Sequence, residues 1–308
     1  MKEIRVLNRV IRRDDNGFTL EADPRHAEIV IRDLGLESAK PSKLPGSKDE
    51  HKRAGGGPAG AGVYELNSFQ KELNMHYGRG KGRGGECNDQ DVGAVEEKCA
   101  QEEINEEPLG KSDAKIFRGV AARLNYMGPD RPDMQYAIKE SARCMSNPRE
   151  CDWALLKKLG RCLLFRPRLV LRYCWQKRPM CIDGYTDSDW GGCTRSRKST
   201  SGAVIMVGQH VIKSYSKQQK VLALSSAEAE TYGMVACSAE VLGIQSCAKD
   251  MGLEYAGTIY ADASAALGIV QRRGIGKVRH IHTHVSKRRM PQRGWGLRRS
   301  TDQETHPI

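Results

Sequence analysis

Three carboxylates stand where shared chemistry is possible. Asp187 closes a strand-like run, Glu230 lies in the first turns of a long helical pattern, and Asp262 follows a second strand-like run. In an open α/β sheet, groups at strand ends and on an adjacent helix can converge on one pocket, and converging carboxylates suit hard cations such as Mg²⁺. Two such ions about 4 Å apart activate water and stabilise the leaving oxygen in phosphodiester hydrolysis. Scattered surface acids in a chain that is 29% charged would look the same at this level, so position alone leaves both interpretations open.

The elements that would place these acids follow from periodicity. Cys181–Tyr185, Gly202–Val207 and His210–Tyr215 are short and rich in β-branched residues. Turn chemistry at Gly192–Ser201 and Gly208-Gln209 separates them, which predicts an antiparallel meander. A helix is expected from about Ser225 to Met251, capped by Ser225 or Ser226 with Glu228 following. A strand at Gly257–Ala261 and a helix at Ser264–Gln271 complete a β-β-β-α-β-α order, the first two-thirds of a mixed five-stranded α/β domain.

Upstream, Phe117, Val120, Ala121 and Leu124 have helical spacing, Pro129 to Pro132 interrupts, and two more helices are expected at Met134–Met145 and Trp153–Leu164. Residues 4–36 predict an extended start, a turn at Asp14–Gly17, and a helix opened by Asp23-Pro24 and ended by Gly35. The stretch between them is rich in Gly, Pro and charge and cannot bury enough apolar surface to offset chain entropy, so a disordered linker is expected. Gly55–Gly60 matches G-x-G-x-x-G literally, yet no strand precedes it, and Pro58 stands where a phosphate loop needs an N–H. Gly78–Gly85 resembles an RGG-like RNA contact, although flexible linkers share that composition.

With 50 Lys and Arg against 38 Asp and Glu in 308 residues, the net charge of +12 favours a polyanionic partner. No apolar run reaches the roughly 18–20 residues of a membrane span and no signal peptide opens the chain, so an intracellular protein without a membrane partner is expected. The ten Cys contain no C-x-x-C, which excludes a zinc ribbon or thioredoxin-type site and points to reduced thiols.

Five ordered blocks carry a resemblance. Gly184-Tyr185-Thr186-Asp187-Ser188-Asp189-Trp190-Gly191-Gly192, Arg197–Gly202, Ala223-Leu224-Ser225-Ser226-Ala227-Glu228-Ala229-Glu230, Tyr260–Ala265 and Lys277-Val278-Arg279-His280-Ile281 resemble the ribonuclease H region of copia-type LTR retrotransposon Pol polyproteins. Phe117-Arg118-Gly119, Asn125-Tyr126-Met127, Arg131-Pro132-Asp133, Pro148 and Trp153 resemble the connection to that region, and residues 1–36 the end of the reverse transcriptase. No Y-x-D-D is present, so no polymerase site is expected.

The resemblance implies hydrolysis of the RNA strand of an RNA–DNA hybrid by two Mg²⁺ ions held by a D-E-D-D set. Asp187 would bridge the ions, with Glu230 and Asp262 as further ligands; Glu228 is the alternative helix acid, and Asp189 a surface or supporting acid. Where the family has K/R-H-I-D, this chain has Arg279-His280-Ile281-His282, so the second metal site would be weakened. His280, His282 and His284 alternate and on a strand would share a face, an alternative metal set. Beyond His284 the family pattern stops, as a slip of reading frame would produce.

The expected fold is therefore α/β: a ribonuclease H-like mixed five-stranded sheet with helices, its last helix lost, preceded by a small helical unit and a disordered linker. The expected boundaries are a reverse-transcriptase remnant at 1–37, the linker at 38–112, a helical connection at 113–178, the ribonuclease H-like domain at 179–284 and an unstructured tail at 285–308. A catalytically inactive basic module that binds nucleic acid is the alternative function.

Overall fold

Two five-stranded sheets organise this computed structural model, which describes residues 2–43, 45, 64–65, 107–193, 196–271 and 295–299. The first sheet begins with an antiparallel meander of β1 (Lys2–Val6), β2 (Arg9–Asp14) and β3 (Gly17–Ala22). The buried Asp23 accepts a hydrogen bond from Arg25 N–H at 3.1 Å and so starts α1 (Arg25–Asp33), which Gly35 terminates with φ +61°. After the two-residue β4 (Tyr64–Glu65) come α2 (Lys111–Met127), α3 (Gln135–Arg143), α4 (Glu150–Phe165) and β5 (Leu169–Cys174). Val30, Phe117, Leu124, Leu156, Leu159 and Leu163 are fully buried where the helices meet, the one-sided burial that their spacing predicts.

Two expectations are corrected in this unit. Residues 113–178 are not wholly helical, because β5 pairs antiparallel with β3 from Gly17↔Cys174 to Leu20↔Leu171 and joins residues 2–22 to the helices as one α/β unit. Leu169-Val170-Leu171 is too short to advertise itself as a strand; the open edge of β3 makes it one. The expected linker is also narrower than 38–112. Ala39 packs on the helical core, Ser42 N–H donates to Arg161 O, Tyr64–Glu65 pairs with β5, Pro108 bridges Arg149 and α2 starts at Lys111. Both glycine-rich stretches lie outside the described residues.

The second sheet has the order β10-β9-β6-β7-β8. Strands β6 (Cys181–Asp189), β7 (Thr200–Val207) and β8 (His210–Gln218) form the expected antiparallel meander, and β9 (Ala256–Ala261) returns parallel to β6. The 25-residue α5 (Ser226–Asp250) makes that crossover, with Ser225 Oγ accepting Glu228 N–H as its cap. A Cβ on Gly184 would sit 2.7 Å from Cys237 Sγ and 2.9 Å from Ile259 Cδ1, so the bare backbone of β6 is what lets α5 lie this close. Helix α6 (Ser264–Gln271) follows. A central strand running antiparallel to β7 and parallel to β9, with a crossover helix on one face, gives the mixed five-stranded α/β sheet that the sequence predicts.

The expected unstructured tail is corrected too, because β10 (Trp295–Arg299) lies parallel to β9 from Trp295↔Gly257 to Arg299↔Ala261. Leu297 is partly buried against both cores of this unit, so one apolar side chain and the open edge of β9 suffice where no apolar period exists. The expected loss of the last helix falls on residues outside those described. Gln135 Nε2 donates to Ser214 O and Oγ, and Lys139 Nζ to Thr200 Oγ1 at 2.9 Å, tying α3 to the second sheet beside a cleft of about 850 Å³. Among the described residues no helix is long and apolar enough to cross a membrane.

Candidate metal centre

The pairing of β6 with β9 ends at Tyr185↔Tyr260, while β6 itself runs on to Asp189. That overhang opens one edge of β6 at Asp187, and Asp262 follows directly on the end of β9. Glu230 reaches the opening from the second turn of α5. One carboxylate oxygen from each of Asp187, Glu230 and Asp262 lies within 4.8 Å of the others. Among the described residues, no other group of three such ligand types comes together in this way.

The three acids differ in exposure: Asp262 is exposed, Asp187 half-buried and Glu230 6% exposed. Ser188 N–H donates to both inner acids, to Asp187 Oδ1 at 2.8 Å and to Glu230 Oε1 at 3.0 Å. Glu230 Oε2 is buried with no hydrogen-bond partner. Burial pushes the Glu230 carboxyl up to about 8, and the charges of Asp187 and Asp262 push in the same direction, against the opposing pull of the Ser188 bond. A buried glutamate with one oxygen unpartnered, its carboxylate beside two others, offers the donor set a hard divalent cation takes, so the residues fit Mg²⁺.

Glu228 is not part of the cluster. Its Oε2 accepts Leu224 N–H at 2.9 Å and its Oε1 accepts the Tyr232 hydroxyl at 3.0 Å, which closes the N-terminus of α5. Two positions on a helix are about 200° of rotation, so only one of Glu228 and Glu230 can face the strand ends. Asp189 braces the β6–β7 pair by accepting Thr200 N–H. Arg279, His280, His282 and His284 lie outside the described residues.

Behind the acids is a polar pocket that sequence reasoning did not single out. Ser188 Oγ and Ser201 Oγ are 3.1 Å apart, and the buried Gln219 amide donates from Nε2 to Ser201 Oγ at 2.9 Å and Ala229 O at 2.8 Å, with Ser188 Oγ at 3.4 Å. Gly233 makes the room, since a Cβ there would lie 2.6 Å from Ser188 Oγ. The available signal was weak: small polar residues at positions where strands facing a helix ordinarily carry apolar ones.

No family model matches the chain. It is similar to the retrovirus-related Pol polyprotein from transposon RE2 of Arabidopsis thaliana, 31% identical over 152 residues, covering 49% of this chain and 10% of the polyprotein. The corresponding polyprotein from transposon TNT 1-94 of Nicotiana tabacum is 30% identical over 153 residues, 49% of this chain and 11% of the relative. A protein named secreted RxLR effector protein 161, from Plasmopara viticola, is 32% identical over 111 residues, 36% of this chain and 78% of the relative. The chain thus spans about a tenth of the length of the two transposon polyproteins. Among solved structures, ribonuclease H1 of the archaeon Halobacterium salinarum is 12% identical, with 39% of this chain and 84% of that chain covered at a TM-score of 0.29.

Proposed function

We propose that the chain is a fragment of the retrovirus-related Pol polyproteins of transposons, to which it is 30–31% identical over 142–153 residues, and that its second unit is a Mg²⁺-dependent ribonuclease H, weakened in this sequence, whose substrate is the RNA strand of an RNA–DNA hybrid. The convergence of Asp187, Glu230 and Asp262 within 4.8 Å is the observation that carries this proposal. Bound Mg²⁺ would supply activation of the attacking water and stabilisation of the leaving oxygen. The chain's own part is to hold the ligands: Asp187 is half-buried, Glu230 is buried with one oxygen unpartnered, and Asp262 is exposed, open to a polyanionic substrate.

Weakening follows from the position where the family motif has Asp and this chain has His282. An imidazole brings no negative charge, so the second ion lacks one anionic ligand, and losing one electrostatic contribution of this kind costs about 10²–10³ in rate. The test is cleavage of a labelled RNA–DNA hybrid in Mg²⁺, with Asp187→Asn as blank. The expected outcome is weak cleavage or none by the chain as it stands, and partial recovery in His282→Asp carrying an in-frame tail. Robust cleavage by the unaltered chain would show that a fourth acid is dispensable or supplied elsewhere.

The net charge of +12 supports a second reading, an inactive module that binds hybrids through their phosphates. Its signature is hybrid binding that weakens steeply with salt and is indifferent to Asp187→Asn.

A further inference from the structure

We infer that Gln219 is a positioning residue of the metal centre, its side-chain amide tying the residue that follows Asp187 to the residue that precedes Glu230. The inference rests on reading the three acids as a cation site and adds the part that fixes their separation. Gln219 follows β8 immediately, its own N–H donates to Ser199 O at 2.8 Å, and the residue is 8% exposed. Its side chain therefore enters the pocket from a fixed backbone.

The amide orientation is determined by its surroundings. Nε2 lies 2.8 Å from Ala229 O, an acceptor with no proton to give. Turning the group over would bring two acceptor oxygens together, so the N–H side must face α5. The second N–H goes to Ser201 Oγ, which shares a hydrogen bond with Ser188 Oγ. The cost of this orientation is visible: Gln219 Oε1 is buried with no partner. Filling the same space needs only an unbranched apolar chain, whereas the amide links the ends of β6, β7 and β8 to the second turn of α5.

The consequence for the acids runs through the backbone of Ser188. Its N–H is the donor that both Asp187 and Glu230 share, and its side chain is held by Ser201 and Gln219. Without the amide, neither that N–H nor the carbonyl preceding Glu230 keeps its place, and the two inner carboxylates lose their common reference. Gly233 belongs to the same device, because any side chain there would displace Ser188 Oγ.

The test compares Gln219→Met, which keeps the shape and removes the amide, with Ser201→Ala, which cuts the relay and leaves the Ala229 bond. Two readouts are needed: the backbone amide resonance of Ser188 in EDTA, and Mn²⁺ affinity by calorimetry. The expected result is a displaced Ser188 resonance in both variants and Mn²⁺ binding weakened about tenfold or more. In the Glu230→Gln background, Gln219→Met should then cost no further affinity. An unmoved Ser188 resonance in a folded variant overturns the inference, as does an undiminished further loss in that background. If Gln219→Met does not fold, Ser201→Ala decides. A wild-type chain that binds no Mn²⁺ while Gln219→Met still moves Ser188 would sink the cation reading and leave the positioning role standing.

Discussion

Glu230 is buried where its charge must be met by a proton or a cation. Its folded pKa of about 8 stands above the ordinary 4.5, so the folded protein binds this proton more tightly than the unfolded chain does. That contribution to stability is complete below about 4.5 and is lost as pH rises through 8. In EDTA, the melting temperature should fall across that interval, Glu230→Gln should flatten the fall, and Mg²⁺ at pH 8 should restore what the wild type loses; parallel profiles for the two proteins would contradict the assignment. Gly233→Ala places a Cβ 2.6 Å from Ser188 Oγ and should cost about 1–3 kcal/mol of stability by overpacking, measured by denaturant unfolding. Type and position marked Asp187, Glu230 and Asp262 as candidates without separating them from scattered surface acids; the ordered blocks around them, and the resemblance those blocks carry, singled them out. The resemblance favoured Glu230 over Glu228, and the rotation of α5 gives the physical reason, whereas Gln219 was invisible because an amide's role depends on partners from three elements.

The strands that sequence reading recovered have their own alternation. β6 to β9 and the helix starts at Ser225 and Asp23 were legible for that reason, whereas β5 and β10 exist because neighbouring strands offered unpaired edges. Local propensity carries no record of such an edge. β10 is accordingly expected to depend on Leu297, whose partial burial makes Leu297→Ala worth about 1–2 kcal/mol, below the range for fully buried sites. Hydrogen exchange should show residues 296–299 opening first in that variant. At the other end, Asp23 is lowered to about 2, chiefly by its hydrogen bond from the Arg25 guanidinium. Its ionised form therefore supports α1 fully above about 3.8, and that support is lost as pH falls through 2. Asp23→Ala should cost about 1 kcal/mol at neutral pH, and the difference from wild type should shrink in acid.

At the scale of the whole molecule, α3 is the hinge of the design, since it belongs to the first core yet reaches the second sheet through Gln135 and Lys139. Removing both side chains, in Gln135→Ala with Lys139→Ala, should separate one calorimetric transition into two if these bonds couple the units; a single unaltered transition would assign the coupling elsewhere. The pairing of β3 with β5 has a consequence in time as well as in space. Glu21 and its ion-pair partner Arg168 are 147 positions apart. A ribosome adding about 5–20 residues per second would deliver Arg168 roughly 7–30 s after Glu21. During that interval the edge of β3 that pairs with β5 stays bare. In the second sheet the antiparallel strands are consecutive in the chain, and the longest wait is that of β6 for β9, 75 positions from Ile182 to Gly257. The last of the two units to be synthesised thus waits about half as long as the first, whose nascent β3 edge stays open to any other chain emerging nearby.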